Sequence, residues 1–187
     1  MSFENLVQKR RAYRALEPIE ITQELIEKTA RIAQLAPSCF NNQPWRYIFV
    51  YEKNILNKLQ NECLTKGNQW AKAASMIIAV FSRVDLDCVI GDRQYYLFDS
   101  GMATAYLILS LTEQGLVAHP IAGFNLIKVK ELLDIPDEMH LITLIIVGKK
   151  TNVIPDFFKD HQKKSEVTRP SRKPLYEFVY MNKYIEN

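Results

Sequence analysis

The sequence predicts an α+β fold: about four or five strands in one layer, long helices laid against it, and a trailing C-terminal arm. Three observations predict it. Short continuous apolar runs, "MIIAVF" (76–81) and "LITLIIVG" (141–148), read as strands buried on both faces. Segments with helical spacing of apolar residues alternate with strand-like ones. After residue 150 the periodicity stops, yet the chain keeps many Phe and Tyr residues, which a disordered tail rarely carries. Such an arm lies against its own domain or a partner subunit.

The elements follow in chain order. Residues 2–9 read as a short helix. Thr22 is an N-cap with Glu24 in the first turn, and Leu25, Ile26, Ile32, Ala33 and Ala36 recur at helical spacing until Pro37. Residues 46–51, "RYIFVY", read as a strand, and 54–67 as a helix stopped by Gly67. The apolar strand covers 75–82. A long helix, rich in Ala, Leu and Met, runs from Arg93 to Gln114, and Gly115 closes it. A short strand at 116–120 precedes a helix over 126–133 capped by Asn125, and the last strand covers 141–150. No repeat, low-complexity segment or linker divides the chain, so one domain over residues 1–187 is expected.

Composition bounds the function. A chain of 187 residues suits one domain with a sizeable core. With 48% hydrophobic and 24% charged residues, it reads as an ordinary soluble globular protein. A net charge of +3 favours a small anionic ligand and falls far short of a nucleic-acid coat. The N-terminal stretch "MSFENLVQKRRAYR" lacks a signal-peptide core, and neither apolar run approaches the roughly 20 residues that span a bilayer. Cys39, Cys63 and Cys88 are odd in number and widely spaced. They argue against a disulfide framework and for a reducing, cytoplasmic setting. Without CxxC or HxxxH, no metal site is expected.

Three stretches could carry chemistry. "KRRAYR" places Lys9, Arg10, Arg11 and Arg14 within six residues. This is a solvated basic patch or a phosphate clamp, since the guanidinium fork binds phosphate oxygens bidentately. "APSCFNNQPWRY" (36–47) is rich in amides. It is a polar loop satisfying its own backbone, or a set of donors and acceptors for a heteroaromatic edge. Trp45 within it reads as packing. "RPSRKPL" (169–175) is again cationic, at the opposite end of the chain. Two distant basic clusters and one amide loop match a ligand with a phosphate end and a ring end. A Cys39–His119 nucleophile pair has nothing in sequence to bring it together, and His119, His140 and His161 have no partner motif.

At these residues the chain resembles the nitroreductase family of FMN-dependent oxidoreductases. "RRAYR" is similar to that family's "RRSxR", "APSCFNNQPWRYIFV" to "APSSxNxQPWxFxVV", and "RKPLYEFV" to "RKPLEEIV". "HPIAGFN", "VKELLDIP" and "ITLIIVGKK" match the intervening segments in order. The resemblance implies a central mixed or antiparallel sheet flanked by helices and an FMN at a homodimer interface, with the C-terminal arm reaching the partner subunit. Arg10, Arg11, Ala12 and Arg14 would take the phosphate and ribityl side, joined by Arg172 and Lys173. Pro37, Ser38, Cys39 and Asn41 would meet the isoalloxazine, with Gln43 close behind. Ile121, Ala122 and Gly123 would bring backbone near the ring, and Asn68 is a further candidate. Ala12 and Cys39 depart from the family's serines, and the chain lacks extra helices to wall a substrate site.

The implied chemistry is hydride transfer from NADH or NADPH through the flavin to an acceptor such as a nitroaromatic or quinone. Kinetics would be ping-pong, with no protein catalytic residue and no metal. Alternatives are another flavin reaction of the same family, such as reductive dehalogenation or dehydrogenation, or a non-redox module for an anion or nucleic acid. Against the last, the aromatics do not interleave with the basic residues.

Overall fold

A computed structural model of the chain describes residues 2–185. The order is α1 (Phe3–Lys9), β1 (Leu16–Glu17), α2 (Gln23–Gln34), β2 (Arg46–Val50), α3 (Lys53–Lys58), β3 (Met76–Ser82), β4 (Val89–Ile90), β5 (Arg93–Gln94), α4 (Tyr96–Glu113), β6 (Leu116–Ile121), α5 (Leu126–Leu132), β7 (His140–Lys150) and α6 (Asp160–Val167). Every pairing in the main sheet is antiparallel, which settles the expected choice between mixed and antiparallel.

β7 is the spine of that sheet. Val147 lies opposite both Met76 of β3 and Ala118 of β6, so these strands flank β7 on its two edges. β2 extends the layer beyond β3, and β1 pairs with the end of β7. All seven residues of β3 are buried. Their alternation divides two apolar layers, because successive strand side chains point to opposite faces. Ile77, Ala79 and Phe81 join Leu144 and Ile146 against Leu59, Trp70 and Val129. Met76, Ile78 and Val80 join Ile145 and Val147 against Ala33 of α2 and Leu107 and Leu111 of α4. A sheet covered on both sides needs strands without a polar face, which is why the two runs read as continuous apolar sequence. Full burial of each large aliphatic contributes about 1.5–3 kcal/mol.

Local signals set several boundaries as expected. Thr22 Oγ1 accepts from the Leu25 N–H at 3.2 Å, and Asn125 Oδ1 accepts from the Lys128 N–H at 3.1 Å. Gly115, at φ +82°, ends α4 in a conformation that costs other residues energy.

Three expectations are corrected. The helix expected over 54–67 stops being α-helical at Lys58 and continues as a wider turn, Leu59–Cys63, and tight turns over Lys66–Ala73. The buried Gln60 side chain causes this break to be tolerated: its amide donates to the Ala71 and Ala74 carbonyls at 3.1 and 3.2 Å. The helix expected from Arg93 begins at Tyr96, because Gly91, at φ +65°, turns residues 89–94 into a two-residue hairpin. The arm, without a period of its own, contains α6, anchored by its buried Glu166. Beyond α6 the chain is irregular, with Leu175, Tyr176, Phe178 and Tyr184 exposed.

Candidate functional site

The two basic ends of the sequence meet. Glu166 of α6 is buried, and its carboxylate accepts the Arg14 N–H at 2.8 Å and the Ala15 N–H at 3.3 Å. Arg11 donates to the Ser165 carbonyl at 2.5 Å, and Arg14 to Ser165 Oγ at 3.3 Å. Arg169 donates to the carbonyls of Arg10, at 2.9 Å, and Gln8. These bonds pin residues 8–15 against 165–169. They enclose a cavity of about 330 Å³ lined by Arg10, Arg11, Ala12 and Arg14 from one end and His161, Ser165, Arg169, Pro170 and Arg172 from the other.

The electrostatics of this cavity are one-sided. Among the described residues no carboxylate forms an ion pair with Arg10, Arg11 or Arg172. Glu166 is engaged with backbone N–H groups and raises the Arg14 pKa. Burial, opposing it, lowers it overall. The Arg10 guanidinium is likewise held below its ordinary value, first by burial and then by Arg169, Arg172 and Arg11. Crowded cations that outnumber the one nearby carboxylate, Glu166, make a cavity suited to an anion. A larger cavity, about 460 Å³, lies along α5 and residues 134–137. Its one cation, Lys130, pairs with Asp137 at 3.8 Å, and Glu131 and Asp134 leave the lining acidic, which does not suit an anion. Lys173 does not line the basic cavity and pairs with Glu177 at 3.3 Å.

The amide loop is built differently. Phe40, Asn41 and Gln43 take φ of 46°, 59° and 51°, a left-handed region costly for residues other than glycine. Ser38 Oγ accepts the Gln43 N–H at 3.0 Å, and the Gln43 carbonyl accepts from Arg46 at 3.0 Å. Asp99 of α4 accepts the Cys39 N–H at 2.6 Å, and Asn42 donates to Asp87 at 3.3 Å. Trp45 packs with Ala36 and Ala103, as its reading as packing requires. Pro37, Ser38, Cys39, Asn41 and Gln43 do not line the basic cavity of their own chain.

Cys39 and Cys88 form a disulfide, with Cα atoms 6.1 Å apart. This overturns the expectation, drawn from the cysteine count, that the chain holds no disulfide. A separation of 49 residues is no obstacle when the segment before the β4–β5 hairpin folds back beside the loop, and the odd cysteine, Cys63, is simply buried and free. Cys39, Asp87 and Cys88 could each direct one ligand atom at a metal, within 4.8 Å of one another, but sulfurs joined to each other offer no thiolate. Burial first, and then the facing Asp87, push the Asp99 carboxyl above its ordinary pKa, against the Cys39 N–H.

The third stretch is a turn held from below. Thr143 Oγ1 donates to the Ile121 carbonyl at 2.9 Å. The Gly123 carbonyl accepts from Asn68 Nδ2 at 2.9 Å and Thr65 Oγ1 at 3.1 Å. A Cβ on Gly123 would lie 2.6 Å from Asn68 Nδ2 and 2.7 Å from Thr65 Oγ1, so close approach explains this glycine. Asn68 therefore buttresses the turn and also accepts from Trp70 Nε1 at 3.2 Å. Trp70 stacks 4.7 Å from His119, and Arg14 sits 5.8 Å over the Trp70 ring. His119 donates from Nδ1 to the Tyr13 carbonyl at 3.0 Å. Burial above all, and then Arg14 and Arg10, lower its pKa to about 4, leaving it neutral near pH 7. These contacts tie the Gly123 turn to the basic segment.

Glu166, Ser165, His161, Trp70 and Asp99 escape the sequence reading. Glu166 stands in a mixed-charge run, "HQKKSEVTRPSRK", where nothing separates it from a solvated acid. The Cys39–His119 nucleophile pair finds no support, since Cys39 is in the disulfide and His119 is engaged with Tyr13 and Trp70.

The nitroreductase family profile matches residues 7–149. The Bacillus subtilis strain 168 protein named "Putative NAD(P)H nitroreductase MhqN" is 25% identical, covering 95% of this chain and 97% of that protein. An iodotyrosine deiodinase from Thermotoga neapolitana is 24% identical, covering 82% of this chain and 91% of that protein. A crystal structure described as an oxidoreductase containing FMN superposes with a TM-score of 0.81 at 26% identity, over 100% of this chain and 95% of that one.

Proposed function

This chain belongs to the nitroreductase family, and from that premise we propose that it is an FMN-dependent oxidoreductase working as a cytoplasmic homodimer. The whole chain would act as one FMN-binding domain. NADH or NADPH would be the donor, and an acceptor such as a nitroaromatic or quinone would follow at the same face. The observation that carries the reading is the cavity where Arg10, Arg11, Arg14 and Arg172 converge, with no carboxylate among the described residues ion-paired to Arg10, Arg11 or Arg172.

The donor set fits the cofactor. Guanidinium forks would hold the phosphate oxygens of FMN, with Ser165 and the backbone at Ala12 beside the ribityl chain. Ser38, Asn41 and Gln43, with their mixed donors and acceptors, suit the polar edge of the ring, and Pro37 and Cys39 its surface. Since this loop does not line the cavity of its own chain, a second copy would bring it to the first copy's cavity, with the exposed arm around Leu175 and Tyr176 covering the join. Ile121, Ala122 and Gly123 would offer backbone to the ring from the buttressed turn.

Bound there, FMN would supply the hydride chemistry, and the chain's part is to bind, orient and tune it. Cations near developing negative charge stabilise it without reorganisation. No helix among the described residues is long and apolar enough to cross a membrane.

The test is anaerobic. Purified protein should be yellow with FMN, bleach on addition of NADH or NADPH, and recover its colour with a nitroaromatic or quinone. A colourless preparation that does not take up FMN would sink the reading. A halogenated aromatic belongs in the acceptor screen, because the deiodinase similarity favours reductive dehalogenation as the second reading.

A further inference from the structure

We propose that Cys39–Cys88 is a reversible thiol–disulfide modification site that latches the amide loop, so that oxidation tightens and reduction loosens the protein's hold on its flavin. The proposal rests on the reading of residues 37–43 as the ring-side loop.

The loop needs a latch because its backbone is costly. Phe40, Asn41 and Gln43 occupy the left-handed region without being glycine, and such conformations persist only when surrounding structure over-determines them. Most of that surrounding structure is one segment, residues 87–99. Asp99 takes the Cys39 N–H, Asp87 takes the Asn42 amide, and Cys88 takes the Cys39 sulfur. The Asn42 amide also reaches Cys88 Sγ at 3.5 Å. Of these ties only the disulfide is covalent, and only it can be made and unmade by solution chemistry.

The pair is open to that chemistry. Both cysteines are half-buried, whereas Cys63 is 3% exposed. A small-molecule thiol attacks one sulfur as its thiolate, forming a mixed disulfide and expelling the other cysteine as a thiolate that takes up a proton. A second thiol then attacks the mixed disulfide, freeing the first cysteine. Two thiols are oxidised to one disulfide, and the protein gains two protons and two electrons. A small-molecule disulfide such as oxidised glutathione runs the steps in reverse. Asp87 brings a carboxylate oxygen within 4.8 Å of both sulfurs. In a reducing compartment, persistent disulfides are rare and reversible ones serve as sensors.

The experiment uses the full chain equilibrated in glutathione buffers from fully reduced to fully oxidised. Thiols are counted by alkylation in denaturant, FMN affinity is measured by fluorescence titration of the apoprotein, and amide hydrogen exchange is followed over residues 38–43 and 87–95. The oxidised form should show one thiol, Cys63, and the reduced form three. Reduction should weaken FMN binding about 10-fold and speed exchange in the loop. Cys88→Ser should match the reduced form and ignore the glutathione ratio, and Cys39→Ser should do the same. Three thiols at every ratio would overturn the latch. So would equal affinity and equal exchange in both forms. Failure of both forms to bind FMN overturns the flavin reading alone, and the exchange difference still decides the latch.

Discussion

The basic cavity and the amide loop, read as two ends of one ligand site, are built on opposite physical plans. The cavity joins segments some 152 residues apart, holds an excess of cations, and rests on ordinary hydrogen bonds to Glu166 and Ser165. The loop is local in sequence and carries little net charge. Its shape comes from left-handed backbone held by a disulfide and two carboxylates. The first stores electrostatic energy that an anion releases. The second stores conformational energy that its cross-links restrain. Charge changes and salt should therefore act mainly on the cavity, and backbone changes mainly on the loop.

The largest effect expected breaks the cavity side. Arg10→Ala with Arg172→Ala removes two forks, each worth about 1.5–3 kcal/mol as a charged hydrogen-bond donor. FMN affinity should fall about 100- to 10,000-fold, and the remaining binding should depend less on ionic strength than in the parent. Calorimetric titration at two salt concentrations checks both. If the loss equalled that of Asn41→Ala and salt dependence stayed unchanged, the division between charge and shape would fail.

His119 sharpens the comparison from the supporting structure. Its pKa, about 4 against an ordinary 6.5, means the folded state binds fewer protons than the unfolded one between those values. The stability it contributes is fully present above pH 6.5 and is lost as the pH falls through 6.5 toward 4, by about 3 kcal/mol. His119→Gln, which retains a donor for the Tyr13 carbonyl, should flatten that limb in urea unfolding at pH 7 and pH 4. The loop, with no comparable base, should contribute no such loss.

How much of this was legible in sequence follows the same division. β3 and β7 announce themselves because burial on both faces leaves an unbroken apolar run, and α2 because Thr22 caps a helical period. The cavity's arginines are legible as charge clusters, and their convergence is not, because Glu166 looks like any surface acid until α6 folds it inside. α6 itself, "DHQKKSEV", has no apolar face and is placed by tertiary contacts. The disulfide is illegible for the same reason. Spacing along the chain does not report that the β4–β5 segment returns to the loop, and an odd cysteine count hides a pair plus one buried thiol. Gly123 is legible as a glycine, but its close packing against Asn68 and Thr65 is not, because those residues lie 55 and 58 positions away along the chain.

The smallest effect is the most discriminating. Phe40 sits at φ 46° with 88% of its surface exposed, so its side chain contributes almost no packing and its backbone is costly. Left-handed backbone costs a residue such as phenylalanine roughly 1–2 kcal/mol, and glycine escapes most of it, at the cost of a more flexible unfolded chain. Phe40→Gly should therefore raise stability by up to about 1 kcal/mol in urea unfolding with Cys39–Cys88 oxidised. If the strain belongs to the loop's task, the same substitution should leave the salt dependence of FMN binding untouched while weakening its affinity a few-fold. Because the ring is 88% exposed in its own chain, a stabilised protein with weakened binding would place Phe40 at the flavin or the partner subunit. A loss of stability would instead mean that the ring is part of what holds the left-handed turn, beside the ties from Ser38, Arg46 and residues 87–99.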